Sequence, residues 1–152
     1  GLMNMGGEPF VIEYNCRLGD PETEVVLPRL QTDLVALFAA MDNGTLEDAN
    51  ISFDERSAAT IMAVSGGYPG SYEKGKTIEL PANSEVPKDT LVFHAGTISS
   101  GEHVLTNGGR VLAVTSYGAN IAEAVERSKT TLQQVSFDGM YFRKDIGFEF
   151  PC

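Results

Sequence analysis

Tryptophan is absent from this chain, and cysteine and histidine occur only twice each. With so few sulfur and imidazole groups, and none at zinc-type spacing, a zinc module is excluded as a reading. Two cysteines, Cys16 and the terminal Cys152, do not build a disulfide framework, so a reduced, cytoplasmic protein is the expectation. No apolar run approaches the ~18 residues of a membrane helix, and no stretch reads as a signal peptide. Positive charge is scarce: 11 Lys and Arg stand against 21 Asp and Glu, a formal net charge of −10. That balance argues against nucleic acid and anionic membrane as partners. No Ser-His-Asp or Cys-His set can be argued from residue order, so no nucleophile is assigned.

What is present is ordinary for a globular protein. The chain has 152 residues, 42% of them apolar and 21% charged, enough for one domain with a real core or a small domain with an appended piece. Gly1 to Met5 reads as the end of a strand, followed by a turn at Gly6-Gly7-Glu8-Pro9. Phe10 to Arg17 reads as a second strand from its β-branched and aromatic residues and its alternating polarity. Phe10, Ile12, Tyr14 and Cys16 then share an apolar, core-facing side, and Glu13, Asn15 and Arg17 share the other.

Neighbours on one strand face lie roughly 6–7 Å apart. An acid and an amide at that separation can lean together and present oxygens to one hard cation, as magnesium sites do when substrate phosphates and water complete the octahedron. Arg17 adds a guanidinium suited to a phosphate or carboxylate. Gly19 permits a sharp turn, and Asp20-Pro21-Glu22 reads as a helix start with Asp20 as N-cap. The same residues also fit a solvated strand face and an ordinary helix start, and local pattern leaves both open.

From Pro21 the period becomes helical. Leu27, Leu30, Leu34, Leu37, Phe38 and Met41 form a stripe expected to pack in a core. Pro28 divides it into a helix ending near Leu27 and another starting at Thr32 or Asp33, which Asn43-Gly44 stops. The polar stretch from Gly44 to Glu55 is the candidate boundary between units 1–54 and 55–152. Beyond it, strands are expected at Ser57–Ser65, Lys76–Leu80 and Leu91–His94, with turns at Gly66–Gly70 and Ile98–Gly101. Glu102–Thr106 and Arg110–Tyr117 are expected to pair as a hairpin over Asn107-Gly108. A helix over 118–135, capped by Asn120 and striped by Ile121, Val125, Ser128, Leu132 and Val135, precedes a last strand at Met140–Arg143. The fold class is therefore α+β, with an antiparallel, partly closed sheet in the second unit.

Gly66-Gly67-Tyr68-Pro69-Gly70 has the composition of a phosphate cradle but not P-loop spacing, and reads first as a tight turn. His94 reads as a structural histidine and His103 as solvent-facing. Arg110 follows Gly108-Gly109, beside a loop placed to touch a ligand, and Arg143-Lys144-Asp145 reads as a surface ion cluster.

The run Glu13-Tyr-Asn-Cys-Arg-Leu-Gly-Asp-Pro-Glu-Thr-Glu24 resembles the signature of the phosphoribosylamine–glycine ligase (glycinamide ribonucleotide synthetase) family. Ser65–Gly75, His94–Thr97, Thr106–Leu112 and Phe137–Gly147 resemble further blocks of that family in the expected order. The resemblance covers nearly the whole chain, but its blocks belong to roughly the last third of such an enzyme. It implies a carboxyl-terminal fragment: residues 1–54 as the end of an ATP-grasp domain, and 55–152 as a small domain like the one that follows ATP-grasp in biotin carboxylases.

The activity implied is ATP-dependent joining of glycine to phosphoribosylamine through glycyl phosphate, releasing ADP and phosphate. The fragment alone is expected to be inactive and prone to self-association through surface exposed by truncation. The resemblance makes Glu13 and Asn15 the ligands of a magnesium or manganese ion bridging the nucleotide phosphates. Arg17 and Asp20 become catalytic candidates, and Arg17, Gly19, Asp20 and Arg110 substrate-binding ones, with Gly19-Asp20-Pro21 offering backbone amides to an anion. Leu18 stands where the family often has an aromatic residue. The rival expectations are another ATP-grasp carboxylate–amine ligase and a non-catalytic interaction domain.

Overall fold

The computed structural model describes residues 1–82 and 84–150; the terminal Cys152 lies outside them. The chain opens with a hairpin of β1 (Leu2–Met5) and β2 (Glu8–Val11), paired from Leu2↔Val11 to Met5↔Glu8. The ladder ends at Val11, so the strand expected to run to Arg17 is shorter, and residues 12–15 continue without regular pairing. Its apolar side meets no core: Phe10 is 54% exposed, Ile12 62% and Tyr14 90%, and Cys16 is exposed as well. Alternation predicted which residues share a face, but nothing among the described residues covers that face.

Two short helical segments follow. The first, α1 (Thr23–Val26), continues as a 3-10 turn over Leu27–Arg29, where Pro28 sits in the first turn. It begins two residues later than an Asp20 cap would place it. The Glu22 carboxylate accepts from the Gly19 amide at 2.8 Å, closing the turn that Asp20 was expected to cap. The second, α2 (Leu34–Asp42), starts as its sequence dictates, with Asp33 accepting from the amides of Val35 and Ala36 at 2.8 and 3.0 Å. Gly44, at φ 68°, lets the chain leave the helix in a left-handed conformation. The Leu/Phe/Met stripe does not enter a core, because only Leu37 is buried while Val35, Phe38 and Met41 are more than half exposed. A period of 3.6 identifies a face to be covered, not the partner that covers it.

From residue 57 on, the chain is built on a three-stranded antiparallel sheet with β7 (Arg110–Gly118) between β3 (Ser57–Val64) and β4 (Thr90–His94). The central strand is a nearly continuous apolar run, and Val111 to Ser116 are buried throughout, as expected of a strand covered on both faces. Helix α3 (Ile121–Leu132) lies on one face, its start fixed by Asn120 accepting from the Glu123 amide at 2.9 Å. Val125, Ser128 and Leu132 of its stripe are buried with Ile61, Val114 and Phe137 in the core.

The hairpin over Asn107-Gly108 does not form. Instead β5 (Thr97–Ser100) pairs with β6 (His103–Thr106) across a Gly101-Glu102 turn, and that hairpin is an excursion between β4 and β7. The ladder of β4 on β7 runs on past His94↔Leu112, with the amides of Ala95 and Gly96 donating to the carbonyls of Val111 and Arg110. This non-local pairing outcompetes the local turn. Lys76–Leu80 and Met140–Arg143 are likewise not strands. They make only single bridges, Thr77↔Leu105 and Glu79↔Ser136 for the first and Val64↔Tyr141 for the second. The result is a small antiparallel α+β domain. No helix among the described residues is long and apolar enough to cross a membrane.

Residues 1–54 are tied to this sheet by specific contacts. Thr115 donates its hydroxyl to the Glu24 carbonyl and Tyr117 donates to the Pro28 carbonyl, while within residues 1–54 Arg29 donates through two nitrogens to the Asp54 carbonyl. Around that seam Arg56 pairs with Asp54 and Asp89 at 2.7 Å each, and stacks 4.5 Å over the Tyr117 ring. Arg127 joins Asp89 to Glu123.

The Arg56 guanidinium, hydrogen-bonded to Asp54, pulls that carboxyl down to about 2, well below its usual range. Asp89 and Glu123 are lowered as well, chiefly by bonds from Arg56 and from the Ala119 amide respectively. A carboxyl whose folded value is depressed contributes stability that is complete above its unfolded value near 4 and is lost as pH falls through the folded value. Urea midpoints of the wild type and Arg56→Ala should therefore differ at pH 6 and converge between about pH 4 and pH 2. A gap that stays constant over that window would show that Asp54 and Arg56 do not act as a pair.

Candidate functional site

Glu13 and Asn15 leave the hairpin side by side. Asn15 Nδ2 donates to Glu13 Oε1 at 2.9 Å, and both side chains are exposed. Two ligands on adjacent corners of a magnesium octahedron, with bonds of about 2.0–2.1 Å, stand about 2.9 Å apart. Exchanging the oxygen and nitrogen of the Asn15 amide would put two oxygens at that spacing, one carboxylate and one carbonyl. The donor set thus fits a hard cation with most of its positions left to substrate oxygens and water. Among the described residues no group of three or more His, Cys, Asp or Glu could enclose a metal by itself.

Arg17 is exposed, and its Nη1 donates to the neighbouring Leu18 carbonyl at 3.2 Å, the one hydrogen bond its side chain makes among the described residues. Gly19 is held differently from the expectation. Its amide donates to the Glu22 carboxylate, and its carbonyl accepts from the Thr23 hydroxyl and amide. That amide therefore serves the turn and is not offered to an anion. A Cβ on Gly19 would stand 2.8 Å from the Glu22 carboxyl carbon, so a side chain there would displace the Glu22 carboxylate from the turn.

The remaining candidates lie at the end of the sheet where β3 finishes and β7 begins, and here the glycine-bearing blocks converge. The Ser65 amide donates to the Gly109 carbonyl and its hydroxyl to the Gly108 carbonyl, both at 2.8 Å. Asn107 donates to the Gly96 carbonyl at 2.7 Å, and a Cβ on Gly66 would lie 2.7 Å from the Gly139 carbonyl oxygen. The Tyr68 ring covers Gly109 so closely that a Cβ there would be 2.6 Å from Cε2. Segments 65–70, 94–97, 106–112 and 137–142 thus form one packed neck. Gly66-Gly67-Tyr68-Pro69-Gly70 is the turn expected of it, hydrogen-bonded from the Tyr68 amide to the Ser65 carbonyl.

Arg110 emerges from this neck. Its Nη1 donates to the Asp20 carbonyl at 2.7 Å, and its Nη2 lies 3.4 Å from the Asp20 carboxylate. Two candidates 90 residues apart in sequence are therefore in contact. Beside them Ile61, Val64, Tyr68, Tyr141 and Phe142 line an apolar cavity of about 260 Å³ that Arg110 and Arg143 also border. Arg143 is held by Asp145 through two hydrogen bonds, in the surface ion cluster the sequence suggested. His94 is exposed, with Nδ1 3.1 Å from the Thr97 hydroxyl, and His103 is exposed. Tyr68 was not singled out as a site residue; its place between Gly67 and Pro69 was the available hint.

Comparison with known proteins decides the family. Residues 58–149 match the family model described as the phosphoribosylglycinamide synthetase C domain. This chain belongs to that family. It is 45% identical over 147 residues to the phosphoribosylamine–glycine ligase of Chlorobaculum tepidum, covering 97% of this chain and 35% of that protein. Against the phosphoribosylamine–glycine ligase of Vibrio cholerae the identity is also 45%, over 97% of this chain and 34% of that protein. A crystal structure of the Thermotoga maritima phosphoribosylamine–glycine ligase is 33% identical, with a TM-score of 0.74, covering 95% of this chain and 35% of that one. The chain of this synthetase-family protein thus spans about a third of the length of the relatives it matches.

Proposed function

We propose that this chain is the carboxyl-terminal part of a phosphoribosylamine–glycine ligase, in which it supplies metal and substrate ligands. The reaction joins glycine to phosphoribosylamine, converts ATP to ADP and phosphate, and passes through glycyl phosphate. The observation that carries the residue-level reading is the Glu13–Asn15 pair, set side by side on an exposed segment within a block that resembles the family signature. In this reading residues 1–54 are the end of an ATP-grasp domain and residues 55–152 the small domain that closes the enzyme, which works in the cytoplasm.

Both chemical steps build charge on phosphoryl oxygens, so positioning and cationic stabilisation carry the catalysis. Glu13 and Asn15 would hold magnesium or manganese, which neutralises charge on the nucleotide phosphates when bound. Arg17, whose remaining donors meet no acceptor among the described residues, would hold the acyl phosphate or a substrate phosphate. Asp20, anchored by Arg110, and Gly19, locked by Glu22, would shape the substrate end of the loop. This chain's net charge of −10 makes such local cations necessary on its side of the site, because anionic substrates gain no long-range attraction from the chain itself.

The apolar surface left open on β2 and α2 supports the rest of the reading, since the remainder of the longer protein would cover it. The full-length protein should form glycinamide ribonucleotide and phosphate from glycine, phosphoribosylamine and magnesium–ATP. This chain alone should form none, and should sediment as an associating species as its concentration rises. Phosphate release that requires a different acid or amine would replace this activity with that of another carboxylate–amine ligase.

A further inference from the structure

We infer that Arg110 is a positioning residue of the ligase, which fixes the Gly19–Glu22 turn, and through it Arg17, against the carboxyl-terminal sheet. The inference rests on the ligase reading above but assigns Arg110 a different part from direct substrate binding. Three observations carry it.

The stronger of the two Arg110 contacts goes to a main-chain atom. Its Nη1 reaches the Asp20 carbonyl at 2.7 Å, whereas the Asp20 carboxylate is 3.4 Å from Nη2. A guanidinium engaged on a carbonyl sets where a backbone lies, whatever side chain that backbone bears. The turn it grips is already rigid within itself, through Glu22 on the Gly19 amide and Thr23 on the Gly19 carbonyl. Moving Asp20 therefore displaces Gly19, and with it the chain that carries Arg17 and Leu18 into the turn.

At its other end Arg110 is anchored by main chain as well. Its carbonyl accepts from Gly96 at 2.8 Å, and it is the first residue of the central strand. The neck around it has no room for a single added methyl group at Gly96, Gly108 or Gly109 without meeting backbone or the Tyr68 ring. The side chain thus starts from a closely packed end of the sheet and ends on a turn closed by its own hydrogen bonds. That is how a fixed distance is transmitted, and a displacement of about 1 Å at reacting groups is worth about a hundredfold in rate.

The test uses the full-length protein with Arg110→Ala and Arg110→Lys. Arg110→Ala should lower kcat by about tenfold to a hundredfold, with KM for ATP, glycine and phosphoribosylamine each within about threefold of wild type. Arg110→Lys, which keeps the charge but loses the fork, should recover only part of kcat. Hydrogen exchange supplies a readout independent of activity: the Thr23 amide, bonded to the Gly19 carbonyl, should exchange faster in Arg110→Ala, while amides of α3 should not change. A rise of more than about tenfold in one KM at unchanged kcat would make Arg110 a substrate ligand and overturn the inference. So would unchanged kinetics in both variants, or equally faster exchange across the whole domain. A wild-type protein without ligase activity would overturn the ligase reading and this inference with it; an active wild type with an unaffected Arg110→Ala overturns the inference alone.

Discussion

Glu13→Gln and Asn15→Ala, made separately in the full-length protein, should each lower ligase turnover by about a hundredfold or more while leaving the fold intact. Stability should not change because both side chains are exposed and their one mutual hydrogen bond is a surface bond, worth well under about 1 kcal/mol. The kinetic cost follows from the count of oxygens. Asn15→Ala removes one of the two side chains proposed to hold the ion, whereas Glu13→Gln keeps an oxygen but removes the only formal negative charge of the pair. Glu13→Gln should therefore raise the magnesium concentration needed for half-maximal rate, and excess metal should restore part of the turnover. Near-normal rates in both variants at limiting magnesium would show that the cation is held elsewhere, and would leave the pair as two neighbours on a solvated segment.

That pair shows how far sequence can carry a site. Residues two apart near a strand share a side by geometry alone, so Glu13 and Asn15 could be placed together without knowing where the strand ends. The strand in fact stops at Val11, and the side chains still meet. Long-range contacts were not legible in this way. Nothing local in Arg110 or Asp20 announces the other, and their bond exists because the β4–β7 ladder carries Arg110 to the edge of the neck. The same ladder explains the failed hairpin. Asn107-Gly108 is a strong local turn former, but the pairing of Ala95 and Gly96 with Val111 and Arg110 leaves β6 no access to β7. The apolar stripes divide by the same logic. The stripe of α3 is buried because β3 and β7 lie within the described chain, whereas that of α2 and the apolar side of β2 stay exposed because no described segment packs on them. Periodicity encodes a demand for burial, and only tertiary structure says whether it is met.

Gly96→Ala should destabilise the domain by about 2–3 kcal/mol, among the largest effects available to the addition of a single methyl group. The added carbon would lie 2.7 Å from Gly108 Cα and 2.9 Å from Gly108 N, and closer still to the Arg110 carbonyl oxygen. All of these are main-chain atoms, so no side chain can swing away to make room. Relief requires separating the Gly96–Arg110 rung from the Gly108 crossing, which sacrifices the 2.8 Å bond from the Gly96 amide and the 2.7 Å bond from Asn107 to the Gly96 carbonyl. Ser99→Ala, on an exposed position of the excursion that the neck supports, is the control and should stay within about 0.5 kcal/mol of wild type. Urea midpoints of the two variants at neutral pH read the difference directly. A Gly96→Ala protein as stable as Ser99→Ala would mean that the two crossing backbones are free to separate. Arg110 would then have no rigid base from which to hold the Asp20 turn. The stability of the neck and the placement of the loop are in this sense one property, and Gly96→Ala should lower kcat of the full-length ligase in the same direction as Arg110→Ala.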